Sequence, residues 1–361
     1  MINSIPSLIS FPMNGGESPY SYANNSCFQR RGTDSAKILL HEEITNKLEL
    51  KQICSSSNVF NIVDMGCSVG PNSYIAVQNI IEPIVSNYQS QGLPSLEFQV
   101  FFNDHVANDF GTLFKSLPCD KNYFAAAVPG TFYNRLFPKA SMHFMHSSYA
   151  LQWLSMVPNE VEDKNSPSWN KGKILYDSKE VEKVYAAQFD KDMGSFLNAR
   201  AEEIVCGGFM AILLPSIPTG ADPSKCTITA IFHLLGSSLL DFANMGLLDE
   251  AEVDSFNLPQ YFASPAELEA VIERNGRFKV ERIEQWVQPI PQASKSFVEQ
   301  FASCMRSGNE GITGGHFGSE LMDDLFNHYT KKLVDSGLFS DSSYVPLCDM
   351  FFFLRRIDDN I

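Results

Sequence analysis

Along this chain, short apolar runs bounded by turn residues alternate with longer stretches in which apolar positions return every three or four residues. The first pattern is that of a buried strand and the second that of an amphipathic helix. Strands are expected at 59–65, 96–102, 123–128, 142–145 and 209–214, with later ones at 278–287 and 347–354. Helices are expected at 34–50 with Asp34 as N-cap, at 72–89, and at 179–205, the last stopped by Gly207-Gly208. A polar head, 13–31, precedes the first of them. Strands that alternate with helices imply an α/β fold, a mostly parallel sheet of about seven strands joined by crossover helices. Helical stretches at 228–245, 265–275 and 317–336 exceed what such a sheet needs as cover. They are read as a cap over its open edge, where a second ligand would be enclosed.

The most telling turn follows the first strand, as Asp64-x-Gly66-x-Ser68-x-Gly70, with a helix opening near Asn72. Glycines let backbone pass close to a ligand, and the free N–H groups of the new helix face it. Serine stands where a dinucleotide fingerprint has its middle glycine, and no Lys-Ser/Thr follows, so the loop is not a phosphate cradle for ATP. An acid on the loop suits a ligand that carries a positive group. The plain alternative is an ordinary glycine-rich strand-to-helix turn. Three further clusters fall at strand ends, where ligands of open α/β sheets bind: Asp104-His105, Gly130-Thr131-Phe132, and 147–153. Asp104 stands where an acid meets ribose hydroxyls, although it lies 40 residues after Asp64 rather than the ~20 of dinucleotide folds; a solvated loop acid or helix N-cap is the plain alternative.

With 361 residues, 44% of them hydrophobic, the chain can bury a large core. A formal net charge of −15 argues against nucleic acid as a partner and against an anionic membrane surface. No run approaches the ~18 apolar residues of a membrane span, and residues 1–12 show no basic, then apolar, secretory signal. Eight cysteines, none in a Cys-x-x-Cys pair, read as reduced thiols, so a cytoplasmic enzyme is expected.

Several segments then carry a family resemblance. They include Ser21-Tyr22-Ala23-Asn24-Asn25-Ser26, the 64–72 loop, Phe102-Asn103-Asp104, Val128-Pro129-Gly130-Thr131-Phe132-Tyr133, 146–155, Asn170-Lys171-Gly172 and 254–261. In this order, over nearly the whole chain, they resemble the plant salicylate/benzoate/theobromine (SABATH) methyltransferases. The resemblance implies a Rossmann-like class I methyltransferase with an α-helical cap, S-adenosylmethionine as cofactor, and a homodimer acting on small plant metabolites. It implies a cofactor-binding core over about 34–215, 276–290 and 345–356, a cap over about 216–275 and 291–344, and 13–31 as an active-site segment. Cofactor contacts would fall on Tyr22, Asp64, Gly66, Cys67, Asn72, Asp104, His105, Thr131 and Phe132. Asn170, Asp254, Phe256 (through its carbonyl) and Asn257 match positions at which some members hold Mg²⁺, with a hydrogen-bonded turn as the alternative.

For the acceptor, Gln29 and Trp153 match the residues that grip a carboxylate in acid-methylating relatives. Tyr149, Gln152, Ile231, Phe232, Met305 and Gly308 would line the rest of the pocket. Amide and indole N–H groups bind an anion without carrying charge. A carboxylic acid of pKa ~4 is already ionised at neutral pH, so no general base is assigned. Gln152 and Phe232 replace the histidines that loganic-acid-methylating members resemble one another in carrying, which disfavours that acid here. N-methylation of a purine-like alkaloid, from the Leu151-Gln152-Trp153 run, and a non-catalytic metabolite-binding role stay open as alternatives.

Overall fold

The computed structural model describes residues 12–48, 58–93, 95–290 and 293–358. Residues 1–11 of the segment read as free of a secretory signal, positions 49–50 of the first expected helix, and Cys54 lie outside the described residues. Among the described residues, seven strands form one sheet: β1 Val59–Met65, β2 Glu97–Asp104, β3 Phe124–Pro129, β4 Met142–Ser148, β5 Ile204–Ser216, β6 Phe278–Val287 and β7 Cys348–Arg356. Their order across the sheet is β3-β2-β1-β4-β5-β7-β6. The first five run parallel, and β7 alone runs against its neighbours β5 and β6. The expected mostly parallel α/β sheet is therefore what the chain forms. The β1 register pairs Met65 with Asn103 on β2 and Ser147 on β4, so the carboxyl ends of these strands finish level. Phe60, Phe102, Phe144, Phe209 and Phe351 to Phe353 are fully buried along the sheet. Their burial, at about 25 cal/mol per Å², is the main force that holds the layers together.

Helix α1 (Tyr22–Asn25) leads into α2 (Cys27–Lys47), which packs on α3 (Pro71–Ser90) and against β5 and β7. Helix α4 (Phe110–Ser116) follows β2, and α5 (Lys179–Glu203) precedes β5. Helices α6 (Thr227–Asn244), α9 (Lys295–Phe317) and α10 (Met322–Asp335) form a second group, in which α10 packs on both α6 and α9 while α9 reaches α1 and α2. The short α7 (Glu250–Ser255) packs on α6, and α8 (Pro265–Asn275) packs against α5 and β6. Helix α8 opens on a Ser264/Glu267 capping box and ends at Gly276 in the left-handed conformation, both legible in sequence.

Three sequence expectations need correction. The first long helix starts at Cys27, not at 34, and Asp34 lies inside it, 2.8 Å from Arg30 one turn earlier. A residue that can cap can also pair at i,i+4. Gly207-Gly208 does not stop α5, which ends at Glu203 and passes straight into β5. The glycines sit in an irregular stretch of that strand, where the register shifts between Met142 and Phe144, and a Cβ on Gly208 would lie 2.9 Å from the His143 carbonyl oxygen. The third concerns α9, whose Gly308, Gly311, Gly314 and Gly315 hid its helical period. The helix expected at 317–336 is its successor α10, separated from it by Gly318 at φ +87°.

Candidate active site

The strand ends and the second helical group enclose a cleft. Its floor is the loop after β1, held from below: the amides of Gly66 and Cys67 both donate to the Asn103 carbonyl, at 2.9 and 3.0 Å. Gly66 has φ +72°, and a Cβ there would come 2.3 Å from that of Ala150. Only glycine fits such a turn without strain. Asp104 at the end of β2 accepts from the Ser68 amide at 2.6 Å and from the His105 amide at 2.7 Å, one on each carboxylate oxygen. Burial raises the Asp104 pKa, and the nearby Asp64 adds to the rise, while those two amides and His105 oppose it. The Asn103 side chain donates to the Val128 and Gly130 carbonyls at 2.7 and 2.9 Å, which stitches β2 to the end of β3. Asp64 pairs with His146 Nδ1 on β4 at 2.8 Å. Asn72 donates to the Ser26 carbonyl at 3.0 Å and so ties the start of α3 to the segment before α2.

These bonds bring most of the expected residues together. Tyr22, Gly66, Asp104, His105, Thr131 and Phe132 line one wall of the cleft, and Asp64, Cys67 and Asn72 line its inner end. Burial raises the Cys67 thiol pKa well above its usual value, so this cysteine is a neutral wall. Burial likewise raises the Tyr22 hydroxyl. Gln29, Tyr149, Gln152, Trp153, Phe232, Met305 and Gly308 line the other end. Ile231 is the exception: it is fully buried in the core, and its neighbours Ile228 and Phe232, one helical turn apart, face the cleft instead. Ser68 Oγ and Ser148 Oγ line the cleft region and are buried without a hydrogen-bond partner among the described residues. Buried polar atoms left open in this way fit a polar ligand.

At the acceptor end, the Cys304 thiol donates to Gln29 Oε1 at 3.3 Å, and Gln29 lines the cavity. The Gln152 amide donates to the Tyr149 carbonyl at 2.9 Å, leaving its own oxygen buried and unpartnered among the described residues. No lysine or arginine lines this cleft among the described residues, and its acids and imidazoles, Asp64, Asp104, His105 and His146, sit at or near the strand ends.

The candidate magnesium set fits the hydrogen-bonded turn. The Asn170 amide donates to the Lys173 and Leu175 carbonyls and, at 2.8 Å, to Asn257 Oδ1, while Asp254 faces Lys171 at 3.6 Å. One paired carboxylate and an amide turned donor-first do not suit a hard cation that takes oxygen ligands.

Sequence reasoning missed His146, Asn103 and Cys304 as supporting groups, and the buried acid Asp349. The signal for Asp349 was present, as one acid inside the apolar run 347–354.

A parallel sheet whose next-to-last strand is reversed, with an acid at the end of β1 and another at the end of β2 around a glycine turn, defines a Rossmann-like class I methyltransferase. Residues 9–357 match the family model described as SAM dependent carboxyl methyltransferase. The chain belongs to that family, whose cofactor is S-adenosylmethionine. It is 46% identical over 352 residues to loganic acid O-methyltransferase from Catharanthus roseus, covering 96% of this chain and 94% of that one. It is 43% identical to farnesoic acid carboxyl-O-methyltransferase from Arabidopsis thaliana, covering 90% and 92%. Among solved structures it is similar to loganic acid methyltransferase with S-adenosylhomocysteine, with a TM-score of 0.92, 44% identity, and coverage of 96% and 99%. No described helix is long and apolar enough to cross a membrane.

Proposed function

We propose that the protein esterifies the carboxylate of a small plant acid, phenolic, terpenoid or hormone-like, with S-adenosylmethionine as methyl donor. The observation that carries this reading is the acceptor end of the cleft: two neutral donors, Gln29 and Trp153, line it, while Asp104 and His105 of the same cleft sit at the end of β2. A carboxylate arrives ionised and needs no proton removed, whereas a purine N–H acceptor would need a base. Tyr22, Asp64, Gly66, Cys67, Asn72, Asp104, His105, Thr131 and Phe132 would hold the cofactor, with the two acids toward its ribose and its positive methionyl end. When bound, the cofactor supplies a methyl group on a positively charged sulfur. Gln29 and Trp153 hold the acid oxygen in line, and Phe232, Ile228, Met305 and Phe301 keep water out. Orientation in a dry cleft, where opposite charges vanish as the bond forms, supplies the acceleration.

The α/β core and the helical group of α6, α7, α9 and α10 would form one unit, with 13–31 closing the site, in a homodimer in the cytoplasm. Light scattering of the pure protein reads the dimer.

Labelled-methyl transfer tests the reaction. Purified protein is given loganic acid, farnesoic acid, other plant acids and xanthines. A methyl ester is the expected product, and methylation of xanthines with none of any acid would sink the reading. Loganic acid belongs on the panel because two similar proteins carry its name, while Gln152 and Phe232 argue against it. Gln29→Ala and Trp153→Ala should each cost ~1–3 kcal/mol in kcat/KM, the worth of a hydrogen bond to a charged group. Affinity for S-adenosylhomocysteine should hold.

A further inference from the structure

Tyr149 stands where the two ends of the cleft meet. It lines the inner end beside Asp64, Asn72 and Ser148, and the acceptor end beside Gln29, Gln152 and Trp153. Its backbone has φ +55°, a left-handed conformation that a bulky residue keeps only when its surroundings impose it. They do so from three sides. Its amide donates to the Leu213 carbonyl at 2.8 Å, and its carbonyl accepts from Gln152 at 2.9 Å. Its hydroxyl points behind the cleft wall, donating to Asp349 Oδ2 at 2.8 Å and accepting from Gln288 Nε2 at 2.7 Å. Gln288 also donates to the same Asp349 oxygen at 2.6 Å, which closes a three-membered ring of bonds.

Neither Asp349 nor Gln288 lines the cleft, and both are almost fully buried. Helix α2 leaves space for this ring only because residue 32 is glycine: a Cβ there would lie 1.8 Å from the Tyr149 hydroxyl oxygen and 2.9 Å from Asp349 Oδ2. The same helix carries Gln29. The hydroxyl, the acid and the glycine therefore fix both the Tyr149 ring and the seat of the helix that delivers a donor to the acceptor.

We propose that Asp349 and Gln288 are positioning residues for methyl transfer, acting through the Tyr149 hydroxyl to hold its ring as the partition between the cofactor and acceptor ends of the cleft. This rests on the reading of those two ends given above. Burial raises the Asp349 carboxyl pKa to about 7, so an uncharged amide in its place keeps the shape and still offers Tyr149 an acceptor. A leucine keeps the volume and offers nothing.

The test compares Asp349→Leu, Asp349→Asn, Tyr149→Phe and the double variant Tyr149→Phe/Asp349→Leu, with melting temperatures recorded beside the kinetics. Asp349→Leu should lower kcat for the acid that the parent methylates at least tenfold, with a smaller change in KM and no matching fall in melting temperature. Asp349→Asn should recover most of that loss. The double variant should be no worse than the poorer single one, because both break the same link. Unchanged kcat in Asp349→Leu, or losses that multiply in the double variant, would overturn the proposal. If the parent methylates no acid, the reading of function fails separately. Calorimetry with S-adenosylhomocysteine then decides the positioning role: a severalfold weaker affinity in Asp349→Leu supports it, and an unchanged one overturns it.

Discussion

Asp349 shows at the scale of one residue how burial governs a carboxyl group. Its pKa is pushed up to about 7 by burial, against the pull of the Tyr149 and Gln288 hydrogen bonds, from a usual value of 3.8. Between pH ~4 and ~7 the unfolded chain has lost this proton while the folded chain keeps it, so folding stability from this group falls as pH rises through that window. Below it the group contributes no such penalty, and above it the penalty is complete, at roughly 4 kcal/mol. Asp349→Asn removes the titration. The variant should melt relatively higher against the parent at pH 8 than at pH 5, and a difference that stays flat with pH would rule this account out. His146 acts differently: its bond to Asp64 orients an acid that the sequence had already marked, across the gap between β1 and β4.

Helices and strands were unequally legible in the sequence. Strands β1 and β6 and helix α8 fall on their expected bounds because each is framed by its own signals: apolar runs closed by turn residues, or a capping box and a terminal glycine. The acids of the cleft were legible for the same reason, since a parallel strand delivers its last residues to the ligand edge. What stayed hidden lies in contacts between distant segments. Helix α9 brings Cys304 to Gln29 across 275 positions of chain, behind four glycines that mask its period. Gly32 is the sharpest case. Inside a helix, glycine costs about 1 kcal/mol relative to alanine, and its reason, the Tyr149 hydroxyl, is visible only in three dimensions. Gly194 in α5 has nothing within 4 Å of its missing Cβ. Gly194→Ala should therefore stabilise by ~0.5–1 kcal/mol. Gly32→Ala should do the reverse and also reduce turnover. Chemical denaturation of both reads the opposite signs, and equal gains would refute the packing argument.

For the whole molecule, charge sets how the two substrates arrive. The protein carries a formal −15, and no cation lines the cleft among the described residues. An acid acceptor therefore approaches a like-charged body, while the cofactor, with net positive charge near neutral pH, approaches an opposite one. Salt shortens the reach of these fields to ~8 Å at physiological strength. KM for the acid should fall, and KM for the cofactor rise, as salt goes from about 0.01 to 0.15 M. Slopes of one sign for both would exclude long-range steering. The reversed strand carries a consequence of another kind, in the order of synthesis. Running against its neighbours, β7 presents its first residues, not its last, at the ligand edge, and it lies between β5 and β6. Until it inserts, β6 has no partner in the sheet and Tyr149 waits for a hydroxyl partner that emerges 200 residues later. A nascent chain thus makes the strand ends around the cleft early, but completes the bonds that hold the Tyr149 hydroxyl only as β7 leaves the ribosome.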